Sequence, residues 1–209
     1  MTALRQLQQG LEAMGLCADE RQKKQLLDYL ALLVKWNATY NLTAIRQVQK
    51  MLAYHILDSL SVVPYLISKF SLLDVGSGGG MPGIPCAIML PDLQVTLVDA
   101  SQKKASFLQQ TVIELGLDNV TVYAQRVEQL QGMVFESITS RAFSSLSDFV
   151  RLTDSVLARQ GVWMAMKGVC PDEEIAALPE NIVVDRIYPL QVPFVDGARH
   201  LIQLSRKEA

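Results

Sequence analysis

The stretch Leu72-Leu73-Asp74-Val75-Gly76-Ser77-Gly78-Gly79-Gly80-Met81-Pro82-Gly83 constrains this chain more than any other. An apolar run passes directly into a turn nearly bare of side chains, which is how a chain lets a ligand lie against its backbone. Roughly 20 residues later, Gln94-Val95-Thr96-Leu97-Val98-Asp99 reads as a second strand ending in a carboxylate, the spacing at which an acid reaches the ribose of a bound nucleoside. Together the two segments point to an adenosine-type cofactor.

The glycines admit two registers. Gly78-x-Gly80-x-x-Gly83 matches the dinucleotide fingerprint literally, whereas Gly76-x-Gly78-x-Gly80 places the first glycine directly off the strand, as a nucleotide turn requires. In the second register the third fingerprint glycine is replaced by Met81. That change suits a cofactor without a pyrophosphate, such as S-adenosylmethionine.

Around this loop the hydrophobic period changes. Leu26, Leu27, Leu30, Leu33 and Val34 recur at helical spacing between Asp19, a plausible N-cap, and Trp36; Leu52, Ile56, Leu57, Leu60 and Val63 repeat the pattern over 48–66, with Pro64 near its end. Residues 1–70 are expected to form a helical segment packed on the rest. Over 71–209, short apolar strands near 72–75, 94–98, 120–123, 136–140, 161–166, 182–190 and 199–205 alternate with helices near 83–90, 102–115, 146–158 and 172–178. This alternation implies a mostly parallel sheet covered on both faces, doubly wound. Only Pro-Phe-Val-Asp-Gly-Ala separates the last two strands, so they form an antiparallel hairpin at or near the sheet edge.

Composition excludes several classes. Half of the 209 residues are apolar, enough for a full core, and the run Ile84–Leu90 is far too short for a bilayer, which needs roughly 20 residues. The opening residues lack the pattern of an export signal. Cys17, Cys86 and Cys170 are scattered and odd in number, which fits a reducing cytoplasm; His55 and His200 lie too far apart in sequence to suggest a metal site. A net charge of −2 argues against coating nucleic acid by bulk electrostatics and leaves room for a local basic patch.

Six segments then occur in a familiar order: Lys35-Trp36-Asn37-x-x-Tyr40-Asn41-Leu42-Thr43, His55-Ile56-Leu57-Asp58-Ser59, the Gly76–Gly83 loop, Ser140-Arg141-Ala142-Phe143, Met166-Lys167-Gly168 and Asp196-Gly197-Ala198-Arg199-His200-Leu201. Over nearly its full length the chain resembles the RsmG (GidB) family, bacterial 16S ribosomal RNA guanine-N7 methyltransferases. The resemblance implies a class I, Rossmann-like α/β methyltransferase fold over 71–209, a seven-stranded sheet with a C-terminal hairpin behind an N-terminal helical cap. It also implies S-adenosyl-L-methionine as cofactor, a guanine of the decoding-region loop as target, and 16S rRNA, the small ribosomal subunit or an assembly intermediate as partner. A monomer is expected.

Roles follow residue by residue, each beside a plainer alternative. Gly76, Gly78 and Gly80 would admit the methionine part of the cofactor, or merely make a tight turn. Met81 would contact cofactor or fill a core gap. Asp74 either orients the cofactor's amino group through water or caps the turn. Asp99 would accept the ribose hydroxyls or cap the helix that follows. Val127 and Glu128, after Arg126, would hold the adenine or simply start a solvated helix. Arg141, at the end of the fourth strand, is the foremost functional candidate, and the resemblance gives it cofactor contact; its alternative is a structural ion pair. Lys167, Arg199 and His200 would clamp RNA phosphate or be solvated strand ends.

His55 and Asp58 share a helical face, but guanine N7 carries no proton to remove, so a general base has no work to do. With Asn37 and Asn41 they are expected to pin the cap to the core. Cys86 follows Pro85, a dipeptide also found in cytosine-C5 methyltransferases, yet it falls inside a helix and reads as core. The Asn/Asp-Pro-Pro-aromatic motif of amino-directed methyltransferases is replaced by Ser140-Arg141-Ala142-Phe143, which favours a ring-nitrogen target. Two rival readings are a nicotinamide-dependent oxidoreductase and a non-enzymatic RNA-binding or assembly module.

Overall fold

A computed structural model describes residues 1–141 and 145–207; Ala142 and Phe143 of the fourth quoted segment lie outside them. The helical cap begins with α1 (Ala3–Ala13) and α2 (Glu20–Tyr40). Asp19 caps α2 through a reciprocal pair with Gln22, which fixes its start as the sequence implies. The helix runs four residues past Trp36 and stops where Asn41 turns left-handed, at φ 51°.

The expected regular helix over 48–66 is broken into pieces. A short α3 (Val48–Met51) leads into a π-helical run (Leu52–Leu57), then α4 (Asp58–Leu60) and a 3-10 turn at Val63–Tyr65 that contains Pro64. Apolar periodicity does not distinguish a wider helical turn from an α turn, so this feature was invisible in the sequence. π turns recur at functional sites, and this one carries His55 and leads into Asp58.

Seven strands follow: β1 (Ser71–Val75), β2 (Gln94–Val98), β3 (Val120–Tyr123), β4 (Phe135–Ser140), β5 (Leu157–Lys167), β6 (Ile182–Pro189) and β7 (His200–Arg206). Their order is β3-β2-β1-β4-β5-β7-β6, parallel as far as β5, with β7 antiparallel between β5 and β6. The hairpin therefore stands at the edge as expected, with β6 outermost. Helices α5 (Gly83–Met89), α6 (Gln102–Leu115), α7 (Leu146–Thr153) and α8 (Asp172–Ala176) connect the strands. α7 ends five residues earlier than the sequence suggests, because Thr153 bonds back to the Phe149 carbonyl and receives the Trp163 indole N–H. The chain then passes through a 3-10 turn into a longer β5.

One buried cluster covers the face under the cap: Leu7, Leu33, Leu57 and Leu60 pack with Ile84, Cys86 and Leu108. A second, with Leu73, Ile138, Phe149, Trp163 and Ile202, fills the other face. Cap and sheet thus share one apolar core, and Cys86 belongs to it, fully buried, with burial pushing its thiol pKa up. No helix among the described residues is long and apolar enough to cross a membrane.

Tyr29 of α2 joins this core to the glycine turn: fully buried, it donates its hydroxyl to the Gly79 carbonyl. Tyr29→Phe leaves that carbonyl without its partner and is expected to lower the unfolding free energy by about 1–3 kcal/mol. Urea denaturation would read this as a lower midpoint at unchanged slope; an unchanged midpoint would contradict the role.

Candidate functional site

The order of strands reverses between β1 and β4, and an open sheet of this kind receives ligands outside the carboxyl ends of its strands at that point. The register sets the site residues there. Val75 pairs with Val98, so Gly76 and Asp99 emerge side by side; Ser140 pairs with Ala165, which puts Arg141 next along; Lys167 pairs with His200.

Backbone and carboxylates shape the glycine turn. Gly76 and Gly78 have φ of 68° and 58°, and nothing lies within 4 Å of a Cβ at Gly76. That combination leaves open space over backbone no ordinary side chain adopts cheaply. Gly80, at φ 89°, is needed for a further reason. A Cβ there would meet Ile84 at 2.6 Å and Leu108 at 3.0 Å, so this glycine serves packing of the turn onto α5 and α6.

Two acids hold the turn from within. Asp99 Oδ2 accepts from Gly78 N (3.0 Å), Oδ1 accepts from Ser101 N (2.8 Å), and Lys104 Nζ stands 3.7 Å away. The N-cap of α6 is Ser101, so Asp99 is not the cap itself. Asp74 is fully buried; its Oδ2 accepts from Gly83 N (2.9 Å), while Oδ1 has no hydrogen-bond partner among the described residues. Asp74 therefore does close the turn as a cap, with one oxygen left over.

A cleft of about 260 Å³ opens beside Asp99, lined by Gly76, Ala100, Arg126, Val127, Glu128 and Leu152. Val127 is buried in a 3-10 turn and Glu128 is exposed beside it. A second cleft, of about 360 Å³, lies across Arg141 and includes Tyr54, His55, Asp58, Lys167, Arg199 and His200.

Arg141 stands between the cap and the glycine turn. Nη1 donates to the Tyr54 carbonyl (3.0 Å) and meets Asp58 Oδ2 at 3.5 Å; Nη2 lies 3.4 Å from His55 Nδ1 and 3.4 Å from Met81 Sδ. The same Asp58 accepts from Arg199 Nε through Oδ1 at 3.0 Å. Burial pushes the Asp58 carboxyl up and the two guanidiniums, Arg141 foremost, pull it back. His55 is driven down to about 4 by burial and then by Arg141. Its Nε2 pairs with Thr43 Oγ1 at 2.7 Å. A neutral, walled-in imidazole is braced rather than poised to take a proton at pH 7.

Asn37 is buried and organises the segment that carries Thr43, accepting from Thr43 N and donating to the Ile45 carbonyl. Asn41 does not pin the cap to the core. It is the exposed C-cap of α2, and its side chain accepts from Arg46. Lys167 is paired with both oxygens of Glu174 at 3.0 and 2.8 Å, and His200 Nδ1 faces the Gly168 carbonyl at 2.7 Å. The three supposed phosphate-binding groups therefore line the second cleft already engaged. Sequence reasoning missed Tyr29, Tyr54 and Glu174; their contacts join segments far apart in the chain, and no local spacing announces them. Among the described residues no three His, Cys, Asp or Glu side chains gather as a metal-ligand group.

The two buried ionisable groups have opposite pH signatures. Burial raises the Asp74 carboxyl from 3.8 to about 7, so the folded state binds the extra proton; its stabilising contribution is full below about pH 4 and is lost as pH rises through about 7. His55, lowered from 6.5 to about 4, contributes above about pH 6.5 and loses this as pH falls through about 4. In ligand-free protein, Asp74→Asn should gain stability relative to the parent as pH rises from about 4 to about 7, with the His55 effect cancelling in the difference. Urea titrations of both proteins test this, and a constant difference would contradict it.

Comparison with known proteins places this geometry. A family model described as rRNA small subunit methyltransferase G matches residues 22–202. A ribosomal RNA small subunit methyltransferase G of Chromobacterium violaceum is 56% identical over 200 residues, covering 95% of this chain and 96% of that protein. The like-named protein of Laribacter hongkongensis is 53% identical over 205 residues, covering 98% and 99%. Among solved structures, mitomycin 7-O-methyltransferase superposes with a TM-score of 0.63 at 14% identity, covering 90% of this chain and 68% of that one. A SAM dependent methyltransferase from Aquifex aeolicus gives 0.58 at 17%, covering 74% and 92%. The last two likenesses concern the fold, which is that of S-adenosylmethionine-dependent methyltransferases.

Proposed function

Because the chain belongs to the family of rRNA small subunit methyltransferase G, we propose that it transfers a methyl group from S-adenosyl-L-methionine to N7 of a guanine in the decoding-region loop of 16S ribosomal RNA. The observation that carries this reading is a pair of clefts at the carboxyl edge of one sheet, one beside Asp99 and one across Arg141 toward Lys167 and Arg199, with Met81 Sδ of the glycine turn 3.4 Å from Arg141.

The residues fit this cofactor. Asp99 can exchange its bonds to Gly78 and Ser101 for the vicinal hydroxyls of a ribose, Val127 and the Glu128 segment wall the base, and Gly76 and Gly78 leave room for the amino-acid part. A dinucleotide fits poorly. The Gly83 N–H at the start of α5, where a pyrophosphate would be received, already bonds the buried Asp74 carboxyl, and a phosphate there would meet an acid. The unpartnered Asp74 Oδ1 suits an ammonium reached directly or through water.

When bound beside Asp99 and Gly76, the cofactor would supply an electrophilic sulfonium methyl for the N7 lone pair, with a neutral thioether as leaving group. No proton is removed and no covalent enzyme intermediate forms. The chain's own contribution is placement, which in well-aligned systems lowers a barrier by roughly 7–11 kcal/mol. Arg141 fixes the carboxylate end of the cofactor or the guanine edge, Asp58 aims the guanidinium, and the apolar Met81 and Met166 help keep water from the path. A loop guanine leaves its stack more readily than a paired one.

Mass mapping of 16S rRNA from a strain lacking this gene would test the reading: loss of one N7-methylguanine is expected, and an unchanged pattern would sink it. Arg141→Ala is expected to abolish methyl transfer while the far-ultraviolet circular dichroism stays native. A fully active variant would remove Arg141 from the mechanism.

A further inference from the structure

The cations inside the second cleft are already neutralised, Lys167 by Glu174 and both Arg141 and Arg199 by Asp58. A polyanionic substrate needs unpaired positive charge, and on this acidic chain it must be concentrated somewhere. Two of the acid-free stretches carry adjacent or clustered cations. Between Asp28 and Asp58, and again between Asp99 and Glu114, the sequence contains no Asp or Glu.

The fold brings these two stretches together at the catalytic edge. The C-terminal end of α2 packs on the first turns of α6, with Trp36 against Phe107 (ring centroids 5.4 Å) and against Tyr40 (5.1 Å). Lys103 Nζ sits 5.3 Å from the Tyr40 ring centre, and Lys104 reaches toward Asp99 at the glycine turn. On the other side the left-handed Asn41 holds Arg46 through a 2.6 Å bond, one residue beyond Ile45, which lines the second cleft. Arg46 and Lys103 are exposed and form no ion pair among the described residues. A strip of cations therefore runs from the cofactor cleft to the mouth of the target cleft, held in place by ring stacking and a backbone cap.

We propose that this strip, Arg46 with Lys103, is a phosphate-binding track for the RNA strand that carries the target base, distinct from the paired cations inside the cleft and from Lys104, which faces Asp99. The proposal rests on the RNA substrate of the preceding reading and adds where its backbone lies. Arg46 and Lys103 bind phosphate directly; Tyr40 sets the height of Lys103 above the surface, and Asn41 sets the direction of Arg46. Backbone contacts position a strand without reading its sequence, so the track supplies register while the cleft supplies specificity.

The double variant Arg46→Gln/Lys103→Gln tests this, with Lys24→Gln as control, since Lys24 pairs with Asp28 toward the far end of α2. Filter binding to protein-free 16S rRNA should show roughly tenfold weaker affinity for the double variant at about 0.1 M salt, and a salt slope shallower by about 0.7–1 per cation removed. Calorimetry with S-adenosylhomocysteine should give the parent affinity, which shows the fold and cofactor cleft intact. Unchanged RNA affinity in the double variant, equal weakening by Lys24→Gln, or no RNA binding by the parent would each overturn the track. A parent that binds rRNA but modifies no guanine N7 would sink the functional reading alone, and the variant affinities would still decide the track.

Discussion

One carboxylate ties the molecule together at its working edge. Asp58, at the end of the π-helical run, lies between Arg141, just past β4, and Arg199 from the turn before β7. Those guanidiniums belong to segments more than eighty residues away in sequence. The acid is 4% exposed, and an ion of that burial persists only when its partners stay in place. Cap, central sheet and terminal hairpin therefore share a single electrostatic junction. That junction also orients the two arginines lining the second cleft, so the contact that joins the three segments also sets the geometry of the site.

A second carboxylate explains what the glycine turn can accept. Asp74 fills the amide at the start of α5 from below, leaving the upper surface of the turn as open backbone. A carboxyl at that position occupies the amide a phosphate would need, and a cationic group beside it would favour the ionised form. The presence of Met81 where a dinucleotide site has glycine follows the same logic, because its thioether packs toward Arg141 rather than clearing a path for pyrophosphate. Two features separated in the sequence thus describe one preference.

Much of this was legible beforehand, for identifiable reasons. The apolar runs around Asp74 and before Asp99 are short and nearly continuous, as in strands covered on both faces, and their register then fixes where Gly76 and Asp99 emerge. Arg141 was identifiable from its place at a strand end. The π-helical run was not, since its apolar residues satisfy an α pattern equally well, and the widening is imposed by packing. For Gly80 the sequence offered ligand approach or a tight turn, and a bare glycine pattern carries no information about which neighbours a side chain would meet; here they are Ile84 and Leu108. Lys167, Arg199 and His200 were read as phosphate clamps or solvated strand ends, and neither reading contained their partners, Glu174, Asp58 and the Gly168 carbonyl, which are set by tertiary contacts. Asn41 looked like half of a helix face and is instead the residue that ends the helix.

The central claim is that the ligand-facing side of this turn takes a nucleoside bearing a cationic amino-acid tail, with its reactive end at Arg141 and Met81. A crystal structure with S-adenosylhomocysteine bound tests it most directly. The account predicts adenosine between Asp99 and Val127, ribose oxygens within hydrogen-bond distance of the Asp99 carboxylate, and the sulfur facing the cleft lined by Arg141, Asp58 and Arg199. Ligand seated elsewhere, or an Asp99 still bonded to Gly78 with adenosine on the far side of the sheet, would contradict it.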